Sequence, residues 1–242
     1  MKKRIFLFAL LLSVLAPAAI AQQGKWSGTV KYQLTWTGNI PAEAQLPTEW
    51  ETKVFENKTK SQSFTWAMSG LPATELTDAA KKTVTFTFDF SMIPVEELNG
   101  KWFIRNKVKD ENLAEVSYKE TGNTKEMAGK KVKEIVCTVK DKEGADVTET
   151  IWACDEIGPV MDLMYYPGLK AMPFEYKIEL SEDIACIFKV VELIDGKVKN
   201  AEMILESGYE ELTQEEFMEK LQSAMGGAEG GDGQVGAGEH HL

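Results

Sequence analysis

The sequence predicts a mostly β protein: a strongly curved antiparallel sheet of about ten or eleven strands, unclosed or half-barrel in form, with a short C-terminal helix. Three observations carry this. Strict apolar–polar alternation recurs along the chain, as a strand with one buried face requires. Turn signals separate the alternating runs at short intervals, as in consecutive hairpins. One late segment alone changes to helical spacing.

The elements follow in order. Met1-Lys2-Lys3-Arg4, the apolar run Ile5–Leu15 and the Ala19-Ile20-Ala21 site read as a signal peptide cleaved after Ala21. The apolar run is too short to span a bilayer. No cysteine stands at the cleavage point, so no lipid anchor is expected, and residues 22–225 are read as one exported, periplasmic or secreted β domain. In Trp26–Trp36 the positions Trp26, Val30, Tyr32, Leu34 and Trp36 alternate with Ser27, Thr29, Lys31, Gln33 and Thr35. Phe64, Trp66 and Met68 suggest a strand face, and Val84, Phe86, Phe88 and Phe90 stand against Thr83, Thr85, Thr87 and Asp89. Phe174, Tyr176, Ile178 and Leu180 repeat the pattern. Further strands are expected at Trp50–Asn57, Lys101–Val108, Leu113–Lys119, Lys131–Lys140, Val147–Cys154, Ile184–Leu193 and Val198–Leu205. Thr213-Gln214-Glu215-Glu216 forms a capping box for a helix over Leu212–Met225, which Gly226-Gly227 ends. The Gly-rich residues 226–242, with His240-His241, read as a disordered tail.

The irregular stretch Asp155–Pro173, rich in Met and Tyr, either caps the core or lines a binding opening. Cys137, Cys154 and Cys186 allow three disulfide pairings in an oxidising compartment, or small buried side chains. A regular hairpin would put Cys137 opposite about Thr150, leaving Cys154 beyond disulfide reach.

Composition narrows function. The 38 acidic against 27 basic residues, net charge -11, argue against nucleic acid as a partner and against a polybasic membrane-surface protein. No later segment has the length of a transmembrane helix. Both histidines lie in the tail, so no Ser–His or Cys–His pair forms within the fold. No phosphate-binding glycine loop and no zinc-ligand spacing occurs. No cofactor and no metal is therefore expected. Paired carboxylates of a carbohydrate-active hydrolase stay open as an alternative. The aromatic residues on alternating faces exceed what one helix can cover, so the sheet packs dry or holds an apolar ligand on a concave face.

Several segments carry a family likeness. These are Gly28-Thr29-Val30-Lys31-Tyr32, the run Glu51 to Ser61, Thr77-Asp78 with Lys81-Lys82-Thr83-Val84, and Ala128-Gly129-Lys130-Lys131-Val132-Lys133 leading to Cys137. Glu149 to Ile157, with its central Thr150-Ile151-Trp152, and Pro167-Gly168-Leu169 before Met172–Tyr176 complete the set. Through them the chain resembles GLPGLI-type and related domains of unknown function in exported bacterial proteins, grouped with the lipoprotein-carrier (LolA/LolB-like) superfamily. The full GLPGLI string is absent. The resemblance implies an open, curved sheet wrapped around a helical or loop plug, with a concave face that takes acyl chains in the carrier superfamily. It transfers no catalytic or metal residue.

The resulting expectation is a non-enzymatic envelope protein that binds a lipid or other apolar molecule. Trp36, Trp66, Phe86, Phe88, Tyr165 and Tyr166 are its candidate lining residues, with Gly158–Pro173 as a gating loop. The alternative is an interaction module with a dry core that binds an envelope protein. Its charge points to the acidic end: Glu206, Glu210, Glu211, Glu215, Glu216 and Glu219 make this the place for a cationic partner.

Overall fold

The computed structural model describes residues 26–41, 43–93, 98–109, 116–140, 144–158 and 166–226. Residues 1–25, which include the segment expected to be a signal peptide, and residues 227–242 lie outside them, as do Tyr165 and the rest of 159–165 in the expected gating loop.

Among the described residues twelve strands form a single open sheet, against the ten or eleven expected. They are β1 (Ser27–Gly38), β2 (Glu49–Phe55), β3 (Lys58–Gln62), β4 (Ala73–Asp78), β5 (Thr83–Asp89) and β6 (Lys101–Lys107). β7 (Val116–Met127), β8 (Lys130–Lys140), β9 (Asp146–Cys154), β10 (Met172–Ser181), β11 (Ile184–Asp195) and β12 (Glu210–Glu211) complete them. The order is β12-β6-β5-β4-β3-β2-β1-β11-β10-β9-β8-β7. Two meanders, β1–β6 and β7–β11, are thus joined by antiparallel pairing of β1 with β11. Among the described residues only β12 on β6 is parallel.

Chain length forces the curvature. In a flat sheet β6 and β7 would lie ten strand spacings apart, about 48 Å. The link from Lys107 to Val116 can reach only about 30 Å. The sheet must therefore curl so that its two ends approach. Register shifts at Lys31/Tyr32, Pro173/Glu175 and Glu120/Thr124 supply local twist.

Two expected strands are not strands. Phe64–Met68 is one helical turn, α1. In a strand Phe64, Trp66 and Met68 would share a face. In α1, Phe64 and Met68 pack into the central cluster while Trp66 reaches the neighbouring one. One turn thus plugs two aromatic clusters, a tertiary gain that overrides the β propensity of a short apolar run. Val198–Leu205 instead contains a 3-10 turn at Asn200–Met203, where the Glu202 carboxylate accepts the Lys199 N–H at 3.0 Å. Leu113–Lys119 is moved rather than lost, since the strand runs on to Met127 and residues 113–115 lie outside the described ones.

The helix forms where the capping box places it, as α2 (Gln214–Gly226). Thr213 N–H donates to Glu216 at 2.7 Å and Glu216 N–H donates to Thr213 Oγ1 at 3.1 Å. Phe217 and Leu221 are buried against Phe86, Phe88, Phe90 and Trp102, so α2 covers the inner face of β5 and β6. A third cluster of Ile135, Cys137, Ile151 and Ala153 lies beneath Tyr166, Leu169 and Ala171. Of the stretch Asp155–Pro173, Tyr166, Leu169 and Ala171 therefore cap this cluster, while Met172 and Pro173 line a cleft on the inner face.

All three cysteines are buried and free. Cys137 stands opposite Glu149, one residue from the expected partner, and Cys186 opposite Trp36 and Ile178. No helix among the described residues is long and apolar enough to cross a membrane.

Candidate binding cleft

The inner face is not apolar throughout. Cross-strand pairing aligns Val30, Thr52, Ser61, Glu75, Phe86 and Ile104 in one row across β1 to β6. The next aligned row contains Val54, Thr59, Thr77 and Val84. Apolar residues occupy the ends of these rows, and hydroxyls and a carboxylate occupy the middle. The cause lies in β3, Lys-Thr-Lys-Ser-Gln, which has no apolar residue on either face. A strand of this kind in mid-sheet cannot line a dry core.

A small cleft opens at this polar strip, with a cavity volume of about 70 Å³. Tyr32, Trp50, Phe64, Tyr176 and Phe188 form an aromatic floor. Phe188 is the hub: it meets Phe64 edge-on at 4.8 Å and Tyr32 edge-on at 5.8 Å, and stacks on Tyr176 at 4.9 Å. Tyr32 is held by donation of its hydroxyl to the Pro173 carbonyl at 3.1 Å. The facing wall carries Thr52, Thr59, Ser61, Gln62, Glu75 and Thr77. Thr59 and Thr77 share a hydroxyl hydrogen bond of 2.5 Å, and Ser63 donates to Glu75 at 3.1 Å. A pre-positioned aromatic floor beside fixed polar groups can bind an amphipathic molecule in one orientation.

The six residues singled out in the sequence fall in different places. Trp66, Phe86 and Phe88 lie beneath α2, where Phe217 stacks on Phe88 at 4.2 Å. Trp36 borders the cleft through its stack on Phe64 at 5.8 Å and donates its indole N–H to the Pro47 carbonyl. Tyr166 is buried edge-on to Tyr176 at 5.7 Å, one ring behind the floor. Tyr165 lies outside the described residues. Sequence reasoning missed Tyr32, Trp50, Phe188 and the whole polar wall as lining groups. The available signal was the apolar-free strand Lys58–Gln62.

The cleft gains no reactive thiol from its surroundings. Burial pushes Cys186 up to about 12, and burial also raises Cys137 and Cys154. Glu149, behind Tyr166, is raised chiefly by burial, with the Lys177 N–H pulling the other way. Among the described residues no group of three or more His, Cys, Asp or Glu is placed to hold a metal ion.

No family model matches the chain, and no curated protein matches it. Among solved structures, PNGF-II in space group C2 superposes with a TM-score of 0.53 at 11% identity, over 82% of this chain and 33% of that one. PNGF-II in space group P21 gives a TM-score of 0.48 at 10% identity, over 81% and 34%. This chain therefore spans about a third of PNGF-II, and the likeness is one of fold.

Proposed function

We propose that this chain is an exported, non-enzymatic binding protein whose inner cleft holds one amphipathic molecule. The single observation that supports this reading is the cleft's division: an aromatic floor centred on Phe188 and a wall of Thr52, Thr59, Ser61 and Glu75. An apolar chain against the floor gains about 0.8 kcal/mol per buried methylene, and the wall supplies hydrogen bonds to a polar head. The ligand class is therefore narrower than any apolar molecule. The face of Phe86 and Phe88 is already covered by α2 and offers it no room.

Two measurements test this. Solvent extraction of the purified mature chain, followed by mass spectrometry, is expected to release a single-chain amphiphile. Titration with a lysophospholipid below its micellar concentration is expected to change Trp50 emission saturably. Ser61→Phe places a ring in the cleft and is expected to abolish that change while leaving the thermal transition in place. An empty extract together with no saturable titration would sink the proposal.

A further inference from the structure

The outer face of the same strands carries a second, chemically opposite site. Pairing aligns Lys58, Asp78, Thr83 and Lys107 in one row, and Lys60, Leu76, Thr85 and Arg105 in the next. Cations thus stand on β3 and on β6, three strand spacings or about 14 Å apart, with threonine hydroxyls between them. The segment Met203–Leu205 forms an apolar margin, where Met203 is buried and Ile204 is 55% exposed. Among the described residues Lys58, Lys81, Arg105 and Lys107 line this groove together with the carboxylate of Asp78, while Glu206 and Glu211 stand at its border beside Lys60 and Arg105. That is a local excess of positive charge on a chain of net charge -11.

We propose that this groove docks an extended acidic peptide segment of a partner protein. Three features favour that occupant. Along β6, Arg105 and Lys107 lie two residues apart, about 6.8 Å, which is also the repeat of same-side side chains in an extended peptide. A peptide lying along the strand can therefore set carboxylates at alternate positions over both cations. Second, the face already takes carboxylates, from its own chain. Glu206 approaches Lys60 at 3.8 Å and Glu211 approaches Arg105 at 4.0 Å. These are long, exposed pairs that an incoming carboxylate can replace at little cost. Third, the groove is walled on one side by Met203–Leu205 and bordered by Glu206 and Glu211, with Lys58 half-buried and Lys81, Arg105 and Lys107 exposed within it. A narrow chain fits such a groove. An anionic bilayer would meet the rim carboxylates and the overall negative charge first.

The site is independent of the inner cleft, so its test leaves that reading untouched. An N-acetylated octapeptide of alternating Glu and Ser is titrated calorimetrically into the full mature chain. Binding is expected, absent for the Lys–Ser counterpart, and weakened as NaCl rises from about 20 mM to about 0.3 M. Arg105→Glu with Lys107→Glu is expected to weaken it about tenfold, whereas Ser61→Phe leaves it unchanged. Should the double reversal not fold, Lys81→Gln with Lys107→Gln serves the same comparison. No binding of the Glu peptide, or binding indifferent to these substitutions, overturns the proposal. So does binding to phosphatidylglycerol vesicles that requires Arg105 and Lys107 while the peptide does not bind.

Discussion

Phe217→Ala is the most informative perturbation, because it asks whether α2 is part of the core or an appendage on it. Phe217 is fully buried. Its ring lies 4.2 Å from Phe88, 5.8 Å from Trp66 and 6.4 Å from Phe90, centroid to centroid. Truncating a buried Phe costs about 3–5 kcal/mol through lost transfer energy and the cavity left behind. Three aromatic partners on a rigid sheet leave little room for collapse, which places the expected loss near the upper end, about 4 kcal/mol. If α2 instead detached to escape the cavity, burial of Leu212 and Leu221 would be forfeited too, at about 1.5–3 kcal/mol each. Either route takes a large share of the roughly 5–15 kcal/mol that holds a domain folded. Urea unfolding followed by tryptophan emission measures it. With a slope of about 2 kcal/mol per molar, the midpoint should fall by about 2 M. A dye that reports exposed apolar surface, added without urea, separates detachment (bright) from a retained cavity (dark). A midpoint shift under about 0.3 M would show that Phe217 is not buried as described, and would refute the assignment of α2 to the core.

Two further outcomes follow from local chemistry. Thr213→Ala removes the oxygen that accepts the Glu216 N–H at 3.1 Å and should cost about 1 kcal/mol in the same urea assay. Glu149 has a folded-state pKa raised above its ordinary 4.5, mainly by burial. The folded state then binds the proton more tightly, so wild-type stability falls as pH rises from about 4.5 through the raised value. Glu149→Gln, which keeps an acceptor for the Lys177 N–H, should melt higher than wild type at pH 7 and lose that advantage below pH 4.5. A melting difference constant across that range would show that Glu149 does not titrate against burial.

How much of this was legible depends on what enforces each element. β1, β5 and β10 read directly, because a two-residue period over seven or more positions has no helical equivalent. The α2 cap read directly because both partners of the box sit in four consecutive residues. Phe64–Met68 did not, since five residues cannot distinguish the two periods and only packing against Phe188 and Phe217 decides. Site residues fared worse for a related reason. Aromatic character marks Phe86 and Phe88 as apolar, but whether such a ring faces a cleft or a helix depends on β12 pairing with β6 and turning the chain inward. The wall of Thr52, Ser61 and Glu75 exists only through register, which aligns residues from three separate strands.

That routing gives the acidic end a meaning that its charge alone does not. After β11 the chain crosses the outer face, with Glu202 on Lys53 at 2.8 Å, Glu206 near Lys60 and Glu211 near Arg105, before α2 reaches the inner face. Exposed pairs contribute about 0–1 kcal/mol each, so they do not hold the segment down. Met203, Leu212, Phe217 and Leu221 do that by burial. The charges instead select the path, because an acidic segment is attracted to the lysine and arginine rows and repelled by the outer-face row of Glu51 and Glu192 that flanks Lys31. Two consequences separate the terms. Raising salt should leave the urea midpoint nearly unchanged, because burial dominates it, while weakening any acidic peptide on the same rows. Reversing Lys60 and Arg105 to Glu should slow refolding more than it lowers stability, because steering is lost while the apolar anchors remain.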